Sequence, residues 1–431
     1  MTDVYIIEGA RTAFGAFGGG LKDVSAHGLG VAAAKGALER SGLDPAKVDN
    51  VVMGNVIQSH EGAPYLARHV ALDAGVPVEA PALTLNRLCG SGLQAVVSCA
   101  QAMKLDESKI ALAGGAESMS QAPYVSRKAR FGIRMGPDTL VDTLSEALTD
   151  NRAGCGMGVT AENLAEKYGI TREDQDDFAA GSHQRATQAT ESGRLEDEIV
   201  PVTVKGRKGS VEVVKDEHIR EGATQEGLSK LRAVFKKDDG TVTAGNSSGI
   251  NDGAAAVVVA SEEAVREEDL TPMGRILGWG IAGVDPNIMG IGPVPASRLA
   301  LKRAGLTLED MDLVEINEAF AAQYLACEEE LGLDRGKTNV NGGAVAFGHP
   351  VGASGTRVLL TLLYELKRRD KKYGLASLCI GGGQGIAMVV VAVSFRRSGL
   401  AGAAFAGRSF GGRSGRIVRR VRGRDGSCRP R

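Results

Sequence analysis

The chain has 431 residues and a formal net charge of −1; 43% of its residues are hydrophobic and 24% are charged. This composition is typical of a globular protein with two or three domains, and an aromatic share of 4% argues against a nucleic-acid stacking surface. The six cysteines lack CxxC spacing, which argues against a disulfide or zinc framework and leaves the thiols available for chemistry.

The two ends of the chain carry different signals. The first eight residues lack the basic segment and apolar stretch of a secretory signal. The apolar run at 386–393 is far shorter than the roughly 20 residues of a membrane-spanning helix. We therefore expect a cytoplasmic protein with no membrane and no nucleic acid among its partners.

Residues 392–431 form a basic tail. They contain eleven arginines and one acid, a net charge of +10, so the preceding part of the chain carries −11. Their bias toward Arg, Gly, Ala and Ser predicts a disordered, dispensable extension. Binding of an anionic surface or nucleic acid by this tail is the alternative.

An internal repeat organises the rest of the chain. The sequence ALERSGL at 37–43 recurs as ALKRAGL at 300–306, an offset of 263 residues. The same offset pairs Val48-Asp49 with Met311-Asp312 and Ser91-Gly92 with Ser354-Gly355. A register kept over about 55 residues indicates a duplicated unit.

Each unit predicts the same elements in the same order. In the first unit these are a helix over 29–40, a strand over 51–53, a helix over 93–103 and a strand over 110–113. In the second they are a helix over 295–303, a strand over 313–316, a helix over 357–366 and a strand over 375–380. Gly42 and Gly305 suit the left-handed turn that ends the first helix of each unit. The alternation predicts parallel β-α-β units with helices on both faces.

A more polar insertion over about 119–250 separates the two units. It predicts a helix that begins after Thr171, which can cap it, with acidic residues in its first turn. An insertion of this size between matching halves is typical of a substrate-binding domain.

Cys89 is the first candidate catalytic residue. It lies in Asn86-Arg87-Leu88-Cys89-Gly90-Ser91-Gly92, between a predicted strand and a predicted helix. The amides and dipole at a helix start favour a thiolate, and the flanking glycines permit a tight turn and close approach of a substrate. A buried cysteine that only packs is the alternative.

Asn317 opens Asn317-Glu318-Ala319-Phe320, after a predicted buried strand. Its position favours an N-terminal cap of the following helix. An amide that holds a water against a substrate oxygen is the second interpretation.

His349 and Cys379 are the remaining candidates. His349 lies in a loop before a helix, in Gly348-His349-Pro350-Val351-Gly352-Ala353-Ser354-Gly355, where an imidazole can take the proton of a thiol. Cys379 precedes Gly381-Gly382-Gly383, whose backbone N–H groups can form an oxyanion hole. A structural turn is the alternative, and a phosphate-binding loop is disfavoured because residues 386–390 indicate a strand instead of a helix. Two thiols and one imidazole suit an enzyme in which one thiolate carries an acyl group and the other moves a proton at carbon.

The motifs together resemble the thiolase family over about residues 1–391. They are Asn86-Arg87-Leu88-Cys89-Gly90-Ser91-Gly92, Asn317-Glu318-Ala319-Phe320, Asn341-Gly342-Gly343-Ala344, Gly348-His349-Pro350-Val351-Gly352-Ala353-Ser354-Gly355 and Cys379-Ile380-Gly381-Gly382-Gly383. The resemblance implies an α/β fold of two βαβαβαββ halves that form a five-layered α-β-α-β-α core. The implied domains are 1–118 with 251–270, an inserted coenzyme A-binding loop domain at 119–250, 271–391, and a non-homologous tail at 392–431.

The resemblance also implies a role for each candidate residue. Cys89 is acylated by acetyl-CoA after His349 activates its thiol, and Cys379 removes the α-proton of a second acetyl-CoA. Asn317, through a water, and His349 stabilise the enolate, while the amides of Cys89 and Gly381 stabilise the tetrahedral intermediate. Ser248, Ala319 and Phe320 are implied near the pantetheine arm, with Leu148, Met157 and Leu228 lining the coenzyme A site. Neither a metal nor a redox cofactor is implied, and a homodimer or a dimer of dimers is expected.

Within the family, Met289-Gly290-Ile291-Gly292-Pro293 resembles the biosynthetic branch and implies acetyl-CoA C-acetyltransferase activity, with acetyl-CoA and acetoacetyl-CoA as substrates. Gly156 stands where that branch often has a histidine, which leaves a degradative 3-ketoacyl-CoA thiolase of longer chain length as an alternative. A non-catalytic lipid-binding protein of thiolase fold is a second alternative, and a synthase acting on carrier-protein thioesters is a third. The lipid-binding protein would lack one of the reactive side chains, and the synthase would have another residue in place of Cys379.

Overall fold

Two units with the same order of strands and helices follow each other along the chain, as the repeat predicts. A computed structural model describes residues 2–206 and 209–393. The predicted tail begins inside a strand, because Ala392 pairs with Gly274 and the N–H of Val393 donates to the carbonyl of Met273. Residues 394–431, and with them the prediction of disorder, lie outside the described residues.

The strands of the first half and of the insertion are β1 (Val4–Thr12), β2 (Gly15–Ala16), β3 (Asn50–Gly54), β4 (Ala82–Leu85), β5 (Ile110–Ser118), β6 (Tyr124–Val125), β7 (Val141–Asp142), β8 (Thr149–Asp150), β9 (Cys155–Gly156), β10 (Ile199–Val200), β11 (Val202–Gly206), β12 (Gly209–Val213) and β13 (Asn251–Ser261). The second half adds β14 (Gly274–Gly283), β15 (Leu313–Ile316), β16 (Tyr373–Ile380) and β17 (Gln384–Ala392).

The helices are α1 (Ala26–Ser41), α2 (Leu66–Asp73), α3 (Ser91–Lys104), α4 (Thr143–Ala147), α5 (Met157–Tyr168), α6 (Arg172–Glu191), α7 (Gln225–Ser229), α8 (Glu262–Glu267), α9 (Pro293–Ala304), α10 (Ala321–Leu331), α11 (Ala344–Phe347) and α12 (Ser354–Arg368). Short 3-10 turns cover Pro45–Lys47, Ala63–Tyr65, Met119–Gln121, Ala129–Phe131 and Pro286–Ile291.

The predicted ends of three helices are confirmed. Gly42 and Gly305 both have a φ of 68°, so the helices α1 and α9 end in the left-handed conformation that glycine adopts without strain. Thr171 caps α6 through a capping box with Asp174.

The central sheet runs in the order β15-β16-β17-β14-β1-β13-β5-β3-β4. Its two halves meet where β1 pairs with β14 through Tyr5–Arg275 and Ile6–Gly274. The prediction of parallel units is confirmed for the strands that it named, since β3 pairs parallel with β5 and β15 with β16. The pairs β1–β13, β5–β13, β14–β17 and β16–β17, which the repeat did not predict, are antiparallel. The turn at 381–383 is the reason in one case, because a three-residue connection joins antiparallel strands and cannot replace a crossover helix.

Three hydrophobic clusters define the layers. One lies between α1, α2 and the outer face of the β1, β3, β5 and β13 sheet. A second surrounds α3 and α12 between the two halves of the central sheet, and a third lies between α9, α10 and the outer face of β15, β16 and β17. Every residue from Ser354 to Leu366 in α12 is buried, as expected of a helix in a central layer. The five-layered prediction is confirmed.

The two central helices touch where they begin. A Cβ added at Gly355 would lie 2.3 Å from the backbone nitrogen of Leu93, and one added at Gly92 would lie 2.7 Å from the nitrogen of Thr356. Gly92 and Gly355 correspond by the repeat offset. Small residues at both positions therefore let the starts of α3 and α12, which follow the Cys89 and His349 loops, lie side by side.

This close approach gives a prediction for stability. Gly355→Ala is expected to lower the free energy of unfolding by about 3 kcal/mol, because the methyl group overlaps backbone that cannot move away cheaply. Gly181→Ala, inside α6, is the matched control: its nearest neighbour is the flexible end of Arg185 at 3.3 Å. We expect the control to gain up to about 1 kcal/mol through helix propensity. Urea unfolding of both variants checks the contrast, and equal effects would contradict the proposed contact.

Candidate active site

Cys89 lies directly before the start of α3, as predicted. Leu88 holds a φ of 46°, a left-handed conformation that costs a non-glycine residue free energy and needs support from its surroundings. That support comes from Ser91, whose hydroxyl accepts from the N–H of Arg87 at 2.8 Å and donates to the carbonyl of Leu88 at 2.7 Å. Arg87 in turn donates to Gln384 of the second half at 3.0 Å. The loop presents Cys89 in one fixed position.

Cys89 is half-buried, and its thiol faces the interior of the protein. Burial raises its pKa to about 11, against the lowering effect of two backbone N–H groups, those of Gly381 and of Cys89 itself, which face the sulfur. The thiol is therefore protonated at neutral pH, and the helix start does not produce the resting thiolate that its position suggested. The two amides nevertheless lie where an acyl group on this sulfur would place its oxygen.

Cys379 approaches Cys89 from the second half. It lies near the end of β16, fully buried, and burial raises the pKa of its thiol well above the usual range, with neighbouring Cys89 as the next cause. Gly382 and Gly383 have φ values of 79° and 82°, so the turn after Gly381 requires glycine. The structure brings Cys89, Cys379 and Gly381 together.

Asn317 and His349 form a second pair. The amide nitrogen of Asn317 lies 3.4 Å from His349 Nε2, and both side chains are buried. The interpretation of Asn317 as a helix cap is wrong, because α10 begins only at Ala321, with Phe320 at the cap position. Among the described residues, Asn317 Oδ1 is buried without a hydrogen-bond partner. Because the helix begins after Phe320, the side-chain amide of Asn317 does not cap it and lies beside His349 instead.

The imidazole of His349 is held from its other side. Its Nδ1 lies 2.6 Å from the hydroxyl of Ser354, which donates to the carbonyl of Pro350, and its backbone N–H donates to Asn251. This arrangement favours the tautomer with the proton on Nδ1, so that Nε2 can accept one. Burial, and then the charge of Arg357, lowers the pKa of His349 to about 3. The imidazole of His349 is therefore neutral at rest. It can accept the proton of the Cys89 thiol at the moment when the sulfur attacks a substrate.

Neighbouring residues connect the two pairs. Val351, two residues after His349, packs in the same apolar cluster as Cys89. Ala319, two residues after Asn317, packs in the same cluster as Cys379. The four predicted side chains therefore line one region between the halves.

The residues predicted to contact coenzyme A fall into two groups. Leu148 packs in the cluster of Cys89, and Met157 and Phe320 in that of Cys379; the β8–β9 hairpin joins Leu148 to Met157 by an N–H to carbonyl bond of 2.9 Å. Ser248 donates its N–H to the carbonyl of Ala319 at 2.9 Å. Leu228 is different: it is buried among Ala179, Ala180, Val345 and Leu231. The structure does not bring Leu228 to the cysteines.

Sequence reasoning missed Glu117 and Asn251. Glu117 is fully buried at the end of β5; burial raises its pKa, while three backbone N–H groups that donate to it lower the pKa and favour the ionised carboxylate. The available signal was a lone acid at the end of the apolar run Ile110 to Ala116. Asn251, which holds the backbone of His349, gave no comparable signal.

Over residues 2–206 and 209–393, no group of three or more His, Cys, Asp or Glu side chains is arranged to hold a metal ion. Across the same part of the chain, no helix combines the length and the apolarity that crossing a membrane requires.

Two families of known proteins match nearly all of the described chain. Residues 4–263 match the family described as Thiolase, N-terminal domain, and residues 270–392 match Thiolase, C-terminal domain. The chain belongs to the thiolase family. The predicted resemblance and fold class are confirmed, and the thiolase chain is an acyltransferase enzyme.

Individual thiolases show the same extent of similarity. The chain is 54% identical to human mitochondrial 3-ketoacyl-CoA thiolase over 90% of its length and 98% of the relative. It is 53% identical to an acetyl-CoA acetyltransferase of Cupriavidus necator over 90% of its length and 99% of that relative. The crystal structure of the human enzyme in complex with CoA is 53% identical, covers 91% of this chain and 98% of its own, and has a TM-score of 0.89.

The lowered pKa of His349 predicts how stability depends on pH. The folded thiolase keeps this imidazole neutral down to a pH of about 3, whereas the unfolded chain binds a proton below about 6.5. Acidification therefore favours unfolding, by about 1.4 kcal/mol per pH unit between the two values. Relative to His349→Gln, which cannot titrate, the unmodified protein is expected to lose about 1.4 kcal/mol between about pH 7.5 and 5.5 in urea titrations. A difference that does not change with pH would contradict a neutral, buried His349.

Proposed function

We propose that this thiolase condenses two molecules of acetyl-CoA to acetoacetyl-CoA and CoA, and catalyses the reverse thiolysis, through an acyl-Cys89 intermediate. One observation carries the proposal: the N–H groups of Cys89 and Gly381 face the Cys89 sulfur, and the thiol of Cys379 is its neighbour. A nucleophile, an oxyanion hole and a second thiol in one place match the needs of acyl transfer to carbon.

In the first step, Cys89 attacks the thioester carbon of acetyl-CoA while its proton passes to His349. The negative charge that develops on the thioester oxygen is stabilised by the amides of Cys89 and Gly381. His349 then returns the proton to the departing CoA sulfur, and the acetyl group remains on Cys89. A neutral imidazole suits this role, because a protonated one could not accept the thiol proton.

In the second step, Cys379 as a thiolate removes a proton from the methyl group of the second acetyl-CoA. Burial raises the pKa of Cys379, which makes its thiolate a stronger base toward carbon. The enolate oxygen lies toward Asn317 and His349, and the carbanion attacks the acetyl carbon on Cys89. The bond to the Cys89 sulfur then breaks and acetoacetyl-CoA forms. Proton transfer from Cys379 to Cys89 restores the Cys89 thiol and the Cys379 thiolate with which the step began.

The pantetheine arm of the substrate is proposed to pass Ser248, Ala319 and Phe320, with Leu148 and Met157 nearer the thiols. The pairing of Ser247 with Phe320 and the contact between the rings of Phe320 and Phe235 hold these residues as one wall. The CoA bound in the human relative supports a coenzyme A thioester as substrate. Leu228 stays a prediction, as do the domain limits, the dimer or dimer of dimers, the absence of a cofactor and the cytoplasmic location.

The acyl chain is proposed to be short. Cys89 packs against Ile57, Met119, Leu144 and Val351, each less than 10% exposed, which crowds the space beside the sulfur. A longer-chain 3-ketoacyl-CoA thiolase is the second candidate. It is favoured by Gly156, where an added Cβ meets nothing closer than the carbonyl of Leu148 at 3.6 Å, and by the name of the human relative.

Substrate profiling separates the two candidates. We expect kcat/KM for thiolysis of acetoacetyl-CoA to exceed that for 3-ketooctanoyl-CoA by about 10-fold or more, as an apolar site discriminates by roughly 1–3 kcal/mol per misfitting group. Gly156→His is a useful companion variant, because it should reduce activity on the longer substrate more than on the shorter. A clear preference for 3-ketooctanoyl-CoA would overturn the short-chain proposal and leave the thiolase reaction intact.

A further inference from the structure

Each oxygen of the Glu117 carboxylate accepts two hydrogen bonds. Oε1 accepts from the side-chain amide of Asn55 at 3.1 Å and from the N–H of Ile57 at 3.0 Å. Oε2 accepts from the N–H of Val56 at 3.0 Å and from the N–H of Gly352 at 3.0 Å. The side chain is fully buried, so these four contacts replace its hydration. Three backbone amides and one side-chain amide thus form a closed anion site.

This anion site is the repeat-related counterpart of the site at Cys89. The offset of 263 residues that relates the halves places Gly352 at the position of Cys89 and Ile380 at that of Glu117. The N–H of Cys89 faces its own sulfur beside Cys379, whereas the N–H of Gly352 faces the Glu117 carboxylate. One half therefore keeps its amide for a substrate oxygen, and the other fills the equivalent place with an internal carboxylate.

The backbone donors to Glu117 lie in two loops, one from each half, that also position Cys89 and His349. Val56 and Ile57 follow β3 and pack in the same apolar cluster as Cys89. Gly352 lies three residues after His349, in the loop of the other half. The fit is close, since a Cβ on Gly352 would lie 2.6 Å from Glu117 Oε2. A shift of this carboxylate would move the His349 loop relative to Val56 and Ile57, which pack in the cluster of Cys89.

We propose that Glu117 is a positioning residue, whose carboxylate joins the N–H groups of Val56, Ile57 and Gly352 and thereby sets His349 relative to Cys89. The inference rests on the proposed roles of Cys89 and His349. Glu117 acts through the two loops and does not itself react with substrate.

The chemistry of the site makes the proposal testable by rescue. Glutamine has the same shape, but its NH₂ group would face two N–H donors, so it cannot restore the contacts. Alanine removes the carboxylate and leaves the amides around a space of carboxylate size. Formate, which is a carboxylate without a side chain, is the probe that fits this space.

The experiment measures thiolysis of acetoacetyl-CoA by Glu117→Ala and Glu117→Gln, with and without sodium formate, and with sodium chloride at equal ionic strength. For Glu117→Ala we expect kcat to fall by about 100-fold, the usual cost of a misplacement near 1 Å, with KM for CoA within about 3-fold of the unmodified protein. Formate is expected to restore kcat by at least about 10-fold in a saturable manner, and chloride is not. Glu117→Gln should lose kcat and not respond to formate.

Asp49→Ala is the matched control. Asp49 also binds backbone amides with its carboxylate, those of Lys109 at 2.7 Å and Ile110 at 3.3 Å, but at the opposite end of β5. We expect its kcat to stay at the level of the unmodified protein and not to respond to formate.

Each remaining outcome has a defined meaning. If acetyl-CoA does not acetylate Cys89 in the unmodified protein, the proposed function fails. If it does, and both Glu117 variants keep their kcat, the positioning role is overturned. Three further outcomes would show that Glu117 is only a structural residue and would overturn the positioning role. They are loss of kcat without rescue by formate, rescue by chloride as well as by formate, and a Glu117→Ala protein that formate cannot refold.

Discussion

A Cys89→Ala variant is expected to lose thiolysis and condensation by about 10⁴-fold or more, because no other thiol can carry the acyl group between the two half-reactions. The variant should also fail to take up an acetyl group from acetyl-CoA. Peptide mass spectrometry after incubation with acetyl-CoA measures the adduct, and the absorbance of acetoacetyl-CoA measures the turnover.

Cys99→Ala provides the control for the Cys89 result. Cys99 lies in the same helix that follows Cys89, but it is fully buried in the central hydrophobic cluster. It should keep acetylation and turnover, with at most a modest loss of stability. An acetyl group found on another cysteine of the active Cys89→Ala protein would contradict the assignment of the nucleophile.

A Cys379→Ala variant is expected to separate the two half-reactions. Cys89 should still be acetylated, since its amides and His349 remain, while condensation falls by about 10³-fold or more for lack of a base at carbon. The acetylated protein should therefore accumulate. In D₂O, the unmodified protein should exchange methyl protons of acetyl-CoA for deuterium, and the variant should not. Exchange at an unchanged rate in the variant would assign the base to another residue.

Much of the architecture follows from patterns that are local in the sequence. The offset that relates ALERSGL to ALKRAGL predicts two equal halves, and the helices α1 and α9 at these positions end at Gly42 and Gly305 as expected. The strand predicted over 313–316 is observed with the same limits, because the apolar Leu313, Val314 and Ile316 lie between the polar Asp312 and Asn317.

The misplaced role of Asn317 shows where local patterns end. A residue after a strand and before a helix has the composition of a cap, and the choice depended on where the chain turned next. The helix α10 begins four residues after Asn317, so Asn317 is not its cap. The side-chain amide of Asn317 lies beside His349, which is 32 positions away in sequence. No periodicity in the sequence encodes that distance.

Glu117 is the stronger example, since its four donors come from both halves of the fold. Its contact with Gly352 spans 235 positions, and the need for a carboxylate there exists only once the halves have packed together. A lone acid after an apolar strand is equally compatible with a solvent-exposed strand end.

The sequence by itself determined the duplicated plan, the layered fold class and the identity of Cys89, His349 and Cys379 as candidate reactive groups, because repeats, caps and motifs are local and periodic. Only the tertiary structure decided the antiparallel strand neighbours, the neutral state of the thiols and imidazole, the partner of Asn317 and the anion site of Glu117. The physical reason is that pKa values and hydrogen-bond partners depend on burial and on contacts across the interface between the halves, which exist only in the folded chain.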